Sequence, residues 1–436
     1  MRSNLTPRRR KPETLVLTGP AKMNVHRGRL TFEEGYANLG TRRTVELEPP
    51  LAIQSLIILT GAGWWSEAAL EMLAENGVPV YSLRQNGAIH WHLIPAEAPS
   101  KPGLIRLQAS LLESDLGLTV ARDLVVEKIA RQQDTLNWLS RRAALPGLEE
   151  YSSRILPVEG ASQAKTIDAL RMAEAQAANL YFNAWRGMPV TFQKPKSGCV
   201  DVPARWLRFE SRVSLKSGRN QDATDPINAL LNFCYAVAAA ETLIAVRATS
   251  LDPSLGVLHE DQDGRPSLIY DLLEPLRPRV DRMVLEWVCT RTFRLGHDFV
   301  LLRDGICRLG IELAAEVSKE VSENIRPHAM SIAAMVRKAL LSVADVTYRV
   351  PRQAAQNERR TPDGRLPASP QGVCCVCGAA VPGNARYCST HRSERFQEHW
   401  RKLWAEGRVR AAHSEEANRK RSDAMRRIHT LKGHGA

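Results

Sequence analysis

Glu174, His259, Asp271 and Glu274 are the side chains in this sequence whose types could combine into a reaction centre. Glu174 lies in DALRMAEAQAANLYFNAW, where Leu170, Ala177 and Tyr181 share one helical face and the glutamate falls between them. An ionised carboxylate on an apolar face is costly to bury without a base, a hydrogen-bond network or a cation. His259 follows the apolar run LDPSLGVL and precedes the acidic turn EDQDG. Asp271 and Glu274 are three residues apart in IYDLLE, so a helix opening there puts them on one face. Taken singly, each has a structural explanation: a half-exposed helix glutamate, a satisfied histidine, acids placed favourably near a helix start ahead of Pro275. Taken together, the carboxylates and the single imidazole make an oxygen-rich site for a hard cation, suited to Mg²⁺ and, through the imidazole, to Mn²⁺. The chemistry such a site serves in a basic chain is phosphodiester transfer, with the cation neutralising developing charge and activating an oxygen nucleophile. The residues form no compact motif, so spacing leaves their convergence open.

Net charge narrows the partner. The 436 residues carry 60 Lys and Arg against 47 Asp and Glu, a surplus of +13. That surplus suits a polyanion, nucleic acid before a membrane surface. RWLRFESRVSLKSGRN (205–220) interleaves Arg205, Arg208, Arg212, Lys216 and Arg219 with Trp206 and Phe209. The cations could grip phosphate and the rings could stack on frayed bases. Equally, the stretch could be a solvated helix whose Trp and Phe pack inward. No apolar run reads as a bilayer span. The start, MRSNLTPRRRKPE, reads as a disordered basic arm rather than a secretory signal, so the expected location is cytoplasmic.

Eight cysteines fall into two groups. Cys199, Cys234, Cys289 and Cys307 are scattered and read as buried free thiols. Cys374, Cys375, Cys377 and Cys388 are clustered, which in a reducing compartment argues for metal rather than disulfides. Cys374-x₂-Cys377, ten residues, then Cys388-x₂-His391 fits a tetrahedral structural zinc site, with Cys375 competing for the place of Cys374. Beyond it, residues 392–436 hold 12 Lys/Arg against 6 Asp/Glu and read as a basic helical tail.

The elements that must position these residues read as α+β. Strand signals fill 13–103: TLVLT, a hairpin turning at Arg27-Gly28, TVELE, SLIILT, and a second hairpin at Asn86-Gly87. One short helix interrupts them, capped by Ser66 and stopped at Gly77. No catalytic constellation occurs there; its expected role is structural, including dimerisation. Residues 104–350 carry apolar residues at three- and four-residue spacing and read as an α-helical catalytic domain. A Pro-, Gly- and Arg-rich linker (351–372), the zinc-binding module (373–395) and the basic helical tail (396–436) follow a basic arm (1–12), a β-rich domain and that helical domain.

Several stretches also occur together in a known family. AEAQAANLYF (173–182), ATDPINALLNFCYAVAAAE (223–241), LDPSLGVLHED (251–261) and PSLIYDLLEPLRPRVDR (266–282) follow the order of the CRISPR-associated protein 1 family, and IQSLIILTGAGWWSEAALEMLAENGVPVYSLRQNGAIHWHLI fits its β domain. The chain resembles that family over roughly its first three-quarters. The resemblance implies a β domain followed by an α-helical catalytic domain. It implies Glu174, His259 and Glu274 as catalytic metal ligands, for Mg²⁺ or Mn²⁺, with Asp271 as a nearby supporting carboxylate. It also implies a metal-dependent DNA integrase and endonuclease of CRISPR spacer acquisition. In that reaction the 3′-hydroxyl of a short incoming DNA attacks a phosphodiester at the edge of a repeat. The implied partners are double-stranded DNA, a second copy of the chain, and CRISPR-associated protein 2. The C-terminal module departs from the plain two-domain pattern. A casposon-type transposase with the same catalytic domain and a non-catalytic DNA-binding scaffold are the alternatives.

Overall fold

The computed structural model describes residues 13–347 except 36–42, 60–61, 85–86, 96–100, 112–113, 144, 146–147, 149–157, 195–199, 216–217, 219–221 and 261, together with 372–373 and 380–381. The chain divides into two compact units, Met1–Arg349 and Val350–Ala436.

In the first unit, eight strands build two sheets. β1 (Glu13–Leu17), β5 (Ile53–Ile58), β7 (Val80–Leu83) and β8 (Ile89–Leu93) form one, in that order, with only the β7/β8 pair antiparallel. β2 (Ala21–His26), β3 (Arg29–Glu34), β4 (Arg43–Leu47) and β6 (Gly63–Trp65) form the other, ordered β4-β3-β2-β6. The β2/β3 hairpin turns at Arg27 and Gly28, both at positive φ (48° and 75°), the backbone that a two-residue hairpin requires. α1 (Glu67–Glu75) starts at Ser66, whose hydroxyl accepts the Ala69 N–H at 3.2 Å. β6, which runs parallel to β2, has no counterpart in the sequence reading.

Alternation along β5 decides what each face meets. Leu56 and Ile58 join Met23, Phe32 and Leu73 in a small core shared by both sheets and α1. Ile57, one residue out of phase, joins Tyr81 in the larger core of the helices. The first sheet is therefore covered on both faces, which suits its mainly parallel pairing.

The helices are α2 (Pro102–Leu111), α3 (Asp115–Leu139), α4 (Val158–Ser162), α5 (Ile167–Asn183), α6 (Pro226–Ala248), α7 (Ser267–Leu273), α8 (Arg277–Thr290) and α9 (Ile311–Thr347). α6 is the centre. Asp225 caps it, accepting the Asn228 N–H at 3.0 Å, and Pro226 opens it. By length and composition α6 could cross a membrane, which corrects the expectation that no segment reaches that length; its residues are mostly buried inside the fold. α9 packs along it. Short pairs complete the unit: β9 (Thr191–Phe192) beside β10 (Thr292–Phe293), and β11 (Phe299–Leu301) against β12 (Cys307–Leu309). Cys234 and Cys307 are buried, but Cys289 on α8 is exposed, and Cys199 lies outside the described residues.

In the second unit, β13 (Gly372–Val373) pairs antiparallel with β14 (Ala380–Val381). Cys374, Cys377, Cys388, His391 and the basic tail lie outside the described residues.

Candidate active site

Leu170, Ala173, Ala177 and Tyr181 bury one face of α5. Glu174 stands at its edge, with 24% of its side chain exposed. Across from it, α3 buries Leu124, Val125, Ile129 and Gln132, and in the same stripe Lys128. The Lys128 ammonium donates to Glu174 Oε1 and, at 2.6 Å, to Glu274 Oε2. Glu274 opens a 3₁₀ turn, Glu274–Leu276, between α7 and α8 and is almost fully buried. Its other oxygen accepts from Arg277 Nε at 2.9 Å. Burial alone would raise the Glu274 carboxyl, but Arg277 and Lys128 outweigh it and bring its pKa to about 2. Burial likewise works against the Lys128 ammonium, and the two glutamates overcome it, so its pKa is raised.

His259 belongs to the loop before α7. Its Nδ1 lies 2.6 Å from Asp271 Oδ1, on the last turn of α7. Asp271 also accepts the backbone N–H groups of Val257 (2.5 Å), Leu258 (3.0 Å) and His259 (3.1 Å). A carboxylate at Nδ1 assigns the proton there and leaves Nε2 as the free lone pair. Gly256 lets the loop close this tightly: a Cβ there would stand 2.7 Å from Asp271 Oδ2. Arg171 on α5 pins the same loop, donating from Nε to the Leu258 carbonyl at 2.8 Å. α5 thus carries Glu174 and also fixes the segment that carries His259.

Glu174 and Glu274 are therefore brought to one positive charge, and His259 is oriented by Asp271. Among the described residues, no three His, Cys, Asp or Glu side chains form a ready metal shell. The donor set nonetheless suits a hard cation: two carboxylates already converge on one positive charge, the Lys128 ammonium. Sequence reasoning missed Lys128 and Arg277. A lysine within the apolar stripe of α3 was the available signal.

Among its described residues, the basic stretch 205–220 is not a helix beyond the 3₁₀ turn Ala204–Trp206. Trp206 and Phe209 are fully buried, so the inward-packing alternative holds and base stacking by them does not. Arg212 is turned inward, donating to Asn228 Oδ1 (2.7 Å) and Asn232 Oδ1 (2.8 Å). Arg205 is tied to the Thr224 and Gly305 carbonyls. Arg208 is exposed; Lys216 and Arg219 lie outside the described residues.

The chain is similar to known proteins in sequence and in fold. The chain is 30% identical over 257 residues to a CRISPR-associated endonuclease Cas1 of Korarchaeum cryptofilum, covering 55% of this chain and 70% of that one. It is 31% identical over 273 residues to a Cas1 endonuclease of Thermus thermophilus, covering 62% and 74%. In fold it is similar to a casposase bound to its integration product (TM-score 0.59, 20% identity, 77% of this chain and 92% of that one). It is also similar to a Cas1 protein of Thermotoga maritima (TM-score 0.57, 20% identity, 76% and 97%) and to a chain of a Cas6-RT-Cas1–Cas2 complex (TM-score 0.57, 17% identity, 76% and 35%). The profile of the family described as CRISPR associated protein Cas1 matches residues 15–323, a span holding every residue of the carboxylate site and both sheets apart from the first two residues of β1, so this chain belongs to the Cas1 family.

Proposed function

We propose that this chain is a metal-dependent DNA endonuclease and integrase of CRISPR spacer acquisition, joining 3′-hydroxyl ends of short DNA to repeat phosphodiesters. The observation that carries this reading is the meeting of Glu174 and Glu274 on one buried cation, with His259, held by Asp271, close enough to act on the Glu274 charge. Glu174, Glu274 and His259 Nε2 would hold Mg²⁺ or Mn²⁺, which supplies charge neutralisation at the phosphate and activation of the attacking oxygen. The chain's own residues do the rest. Asp271 fixes the His259 ring through Nδ1. Arg277 holds Glu274 ionised and immobile. Lys128 supplies positive charge where phosphate oxygens would gather. The same centre would hydrolyse DNA when water replaces the 3′-hydroxyl.

The relatives named as Cas1 endonucleases and the neighbour solved as part of a Cas1–Cas2 complex support this activity and a Cas2-type partner. A homodimer joined by that partner is the assembly we propose. For the second unit we propose one structural zinc on Cys374, Cys377, Cys388 and His391, a closed shell with no open position.

A strand-transfer assay tests the activity, using short 3′-hydroxyl duplexes, a repeat-bearing plasmid and either metal. Glu174→Ala, His259→Ala and Glu274→Ala should each abolish joining while the protein stays folded. Near-normal joining by all three variants would sink the reading.

A further inference from the structure

The elements that carry the carboxylate site carry a second feature just beyond it. On α3, Arg131 follows Lys128 by about one turn, and Thr135 by about two. On α8, Pro278 and Arg279 follow Arg277 directly. Between these and α9 lies a cavity of ≈ 260 Å³, lined among others by Arg131, Thr135, Arg279, Arg282, Asn324 and His328. At 1.5 Å per residue, it begins roughly 5 Å and extends roughly 10 Å from Lys128 along α3.

Basic side chains outnumber acidic ones among the lining residues. Arg131 pairs with Glu127, and Arg282 with Glu286 at 2.9 Å while stacking over Trp138. Arg279 is half-buried and makes no hydrogen bond or ion pair with any described residue. Burial and the nearby Arg131 lower its pKa, and Glu127, the partner of Arg131, offsets them only in part. His328 has the same surroundings: burial, Arg279 and Arg131 lower its pKa. Asp134 is the one carboxylate among the lining residues, and it is exposed. In α9, Pro327 has no N–H to donate, so the helical ladder is interrupted at the turn that bears Asn324 and His328. Of the three guanidinium groups, Arg279 is the one without a carboxylate at ion-pair distance among the described residues, and an entering anion would accept its hydrogen bonds.

We propose that this pocket of Arg131, Arg279, Arg282 and His328 binds a backbone phosphate of a DNA strand whose reacting phosphate lies at the carboxylate site. Phosphates on one strand of a duplex recur about every 3.4 Å of rise, so a strand anchored at Glu174 and Glu274 has further phosphates within the pocket's reach. The planar guanidinium forks suit tetrahedral oxyanions. The strand's reacting position rests on the proposed function; the phosphate chemistry of the pocket does not.

The test is equilibrium binding of a labelled duplex with short 3′ overhangs to the full chain, in EDTA, over a salt series. Arg279→Gln should weaken binding several-fold at low salt. It should also lower the slope of log K against log salt by about 0.7 to 0.9, the value of one lost contact on single- or double-stranded DNA. Arg279→Lys should keep most of the slope, and Arg131→Gln with Arg279→Gln should roughly double the loss. Asn324→Glu, which sets a carboxylate at the exposed rim, gives an independent reading if Arg279→Gln loses its fold; it too should weaken binding. Unchanged affinity and slope in the variants that fold overturns the proposal. So does sub-millimolar binding of inorganic phosphate that Arg279→Gln abolishes while the DNA slope stays fixed, because the pocket then serves the free ion. Glu174→Ala run in parallel keeps the two readings separate. If wild-type protein joins no DNA yet Arg279→Gln still lowers the slope, the proposed function fails and the pocket stands.

Discussion

Asp271 has both carboxylate oxygens engaged by one loop, an arrangement that suits it to hold His259 rather than an ion. Asp271→Asn keeps one acceptor and turns an NH₂ group toward backbone donors. The expected result is a folded protein with strand transfer reduced about 10- to 100-fold, the usual scale for losing a ligand's supporting partner. Gly256→Ala should give a similar loss, because its Cβ would meet Asp271 Oδ2 at 2.7 Å and the Ser267 Cβ at 2.9 Å, both on buried positions of α7. Joining rates beside melting curves check both; wild-type rates from either variant would show that the clamp does not position His259. Asp281 gives a prediction about pH. Burial raises its pKa to about 6, although the Tyr235 hydroxyl, Arg212 and Arg277 pull the other way. Between the unfolded value of 3.8 and about 6, the native state binds the extra proton, so stability falls as pH rises through that window. Asp281→Asn should remove this fall, and its stability relative to wild type should increase from pH 4 to pH 6 in denaturant titrations. A constant difference across that range would overturn the assignment.

At the scale of elements, α6 and α9 are locked to the first sheet by one buried acid. Glu241 accepts from the Tyr81 hydroxyl (2.6 Å), the Ser322 hydroxyl (2.6 Å) and Arg326 Nε (2.5 Å), and Arg326 reaches on to the Gln54 carbonyl. Glu241→Ala leaves Arg326 with its charge buried and unpaired, so a loss of about 3–5 kcal/mol is expected. Glu241→Gln keeps two acceptor sites and should lose less; equal stability of the Ala variant and wild type in urea would refute the lock. The elements themselves were largely legible in the sequence, because their signals are local. Ser66 caps α1 and Arg27-Gly28 turns a hairpin, while IYDLLE, read as a helix opening, instead closes α7, with Glu274 passing into the 3₁₀ turn that follows. What could not be read depends on partners distant in sequence. The parallel pairing of β1, β5 and β7 needs neighbours that no local pattern specifies. Arg212 alternates with aromatics as a phosphate-gripping residue would, yet two amides of α6 draw it inward. Glu174, His259 and Glu274 were identified through resemblance, whereas Lys128, which joins two of them, belongs to a stripe that otherwise reads as core.

Over the whole molecule, positive charge is concentrated in the second unit. Residues 350–436 hold 17 Lys/Arg against 8 Asp/Glu, so they carry +9 of the chain's +13. A chain ending at Arg349 keeps the compact first unit with both of its hydrophobic cores, and should melt as a folded protein with its carboxylate site intact. Elemental analysis should then find one zinc per full-length chain and none in the shortened one. Zinc-free full-length protein, purified without chelators, would remove Cys374, Cys377, Cys388 and His391 as a metal site. The deleted charge should appear in DNA binding. If residues 373–436 meet the duplex mainly through phosphate, their loss weakens binding on every sequence and lowers the log–log salt slope by about 0.9 per lost contact. Insertion sites, read by sequencing the joined plasmids, should stay where they are. Scattered insertions at an unchanged slope would mean instead that the tail reads bases. Unchanged affinity, slope and sites would assign its charge to a protein partner. Arg and Lys dominate the tail, and its large apolar side chains Phe396, Trp400 and Trp404 recur every four residues, the spacing of a single helix stripe suited to packing rather than to reading bases. A phosphate grip that tightens the complex without choosing the site is therefore the expected outcome.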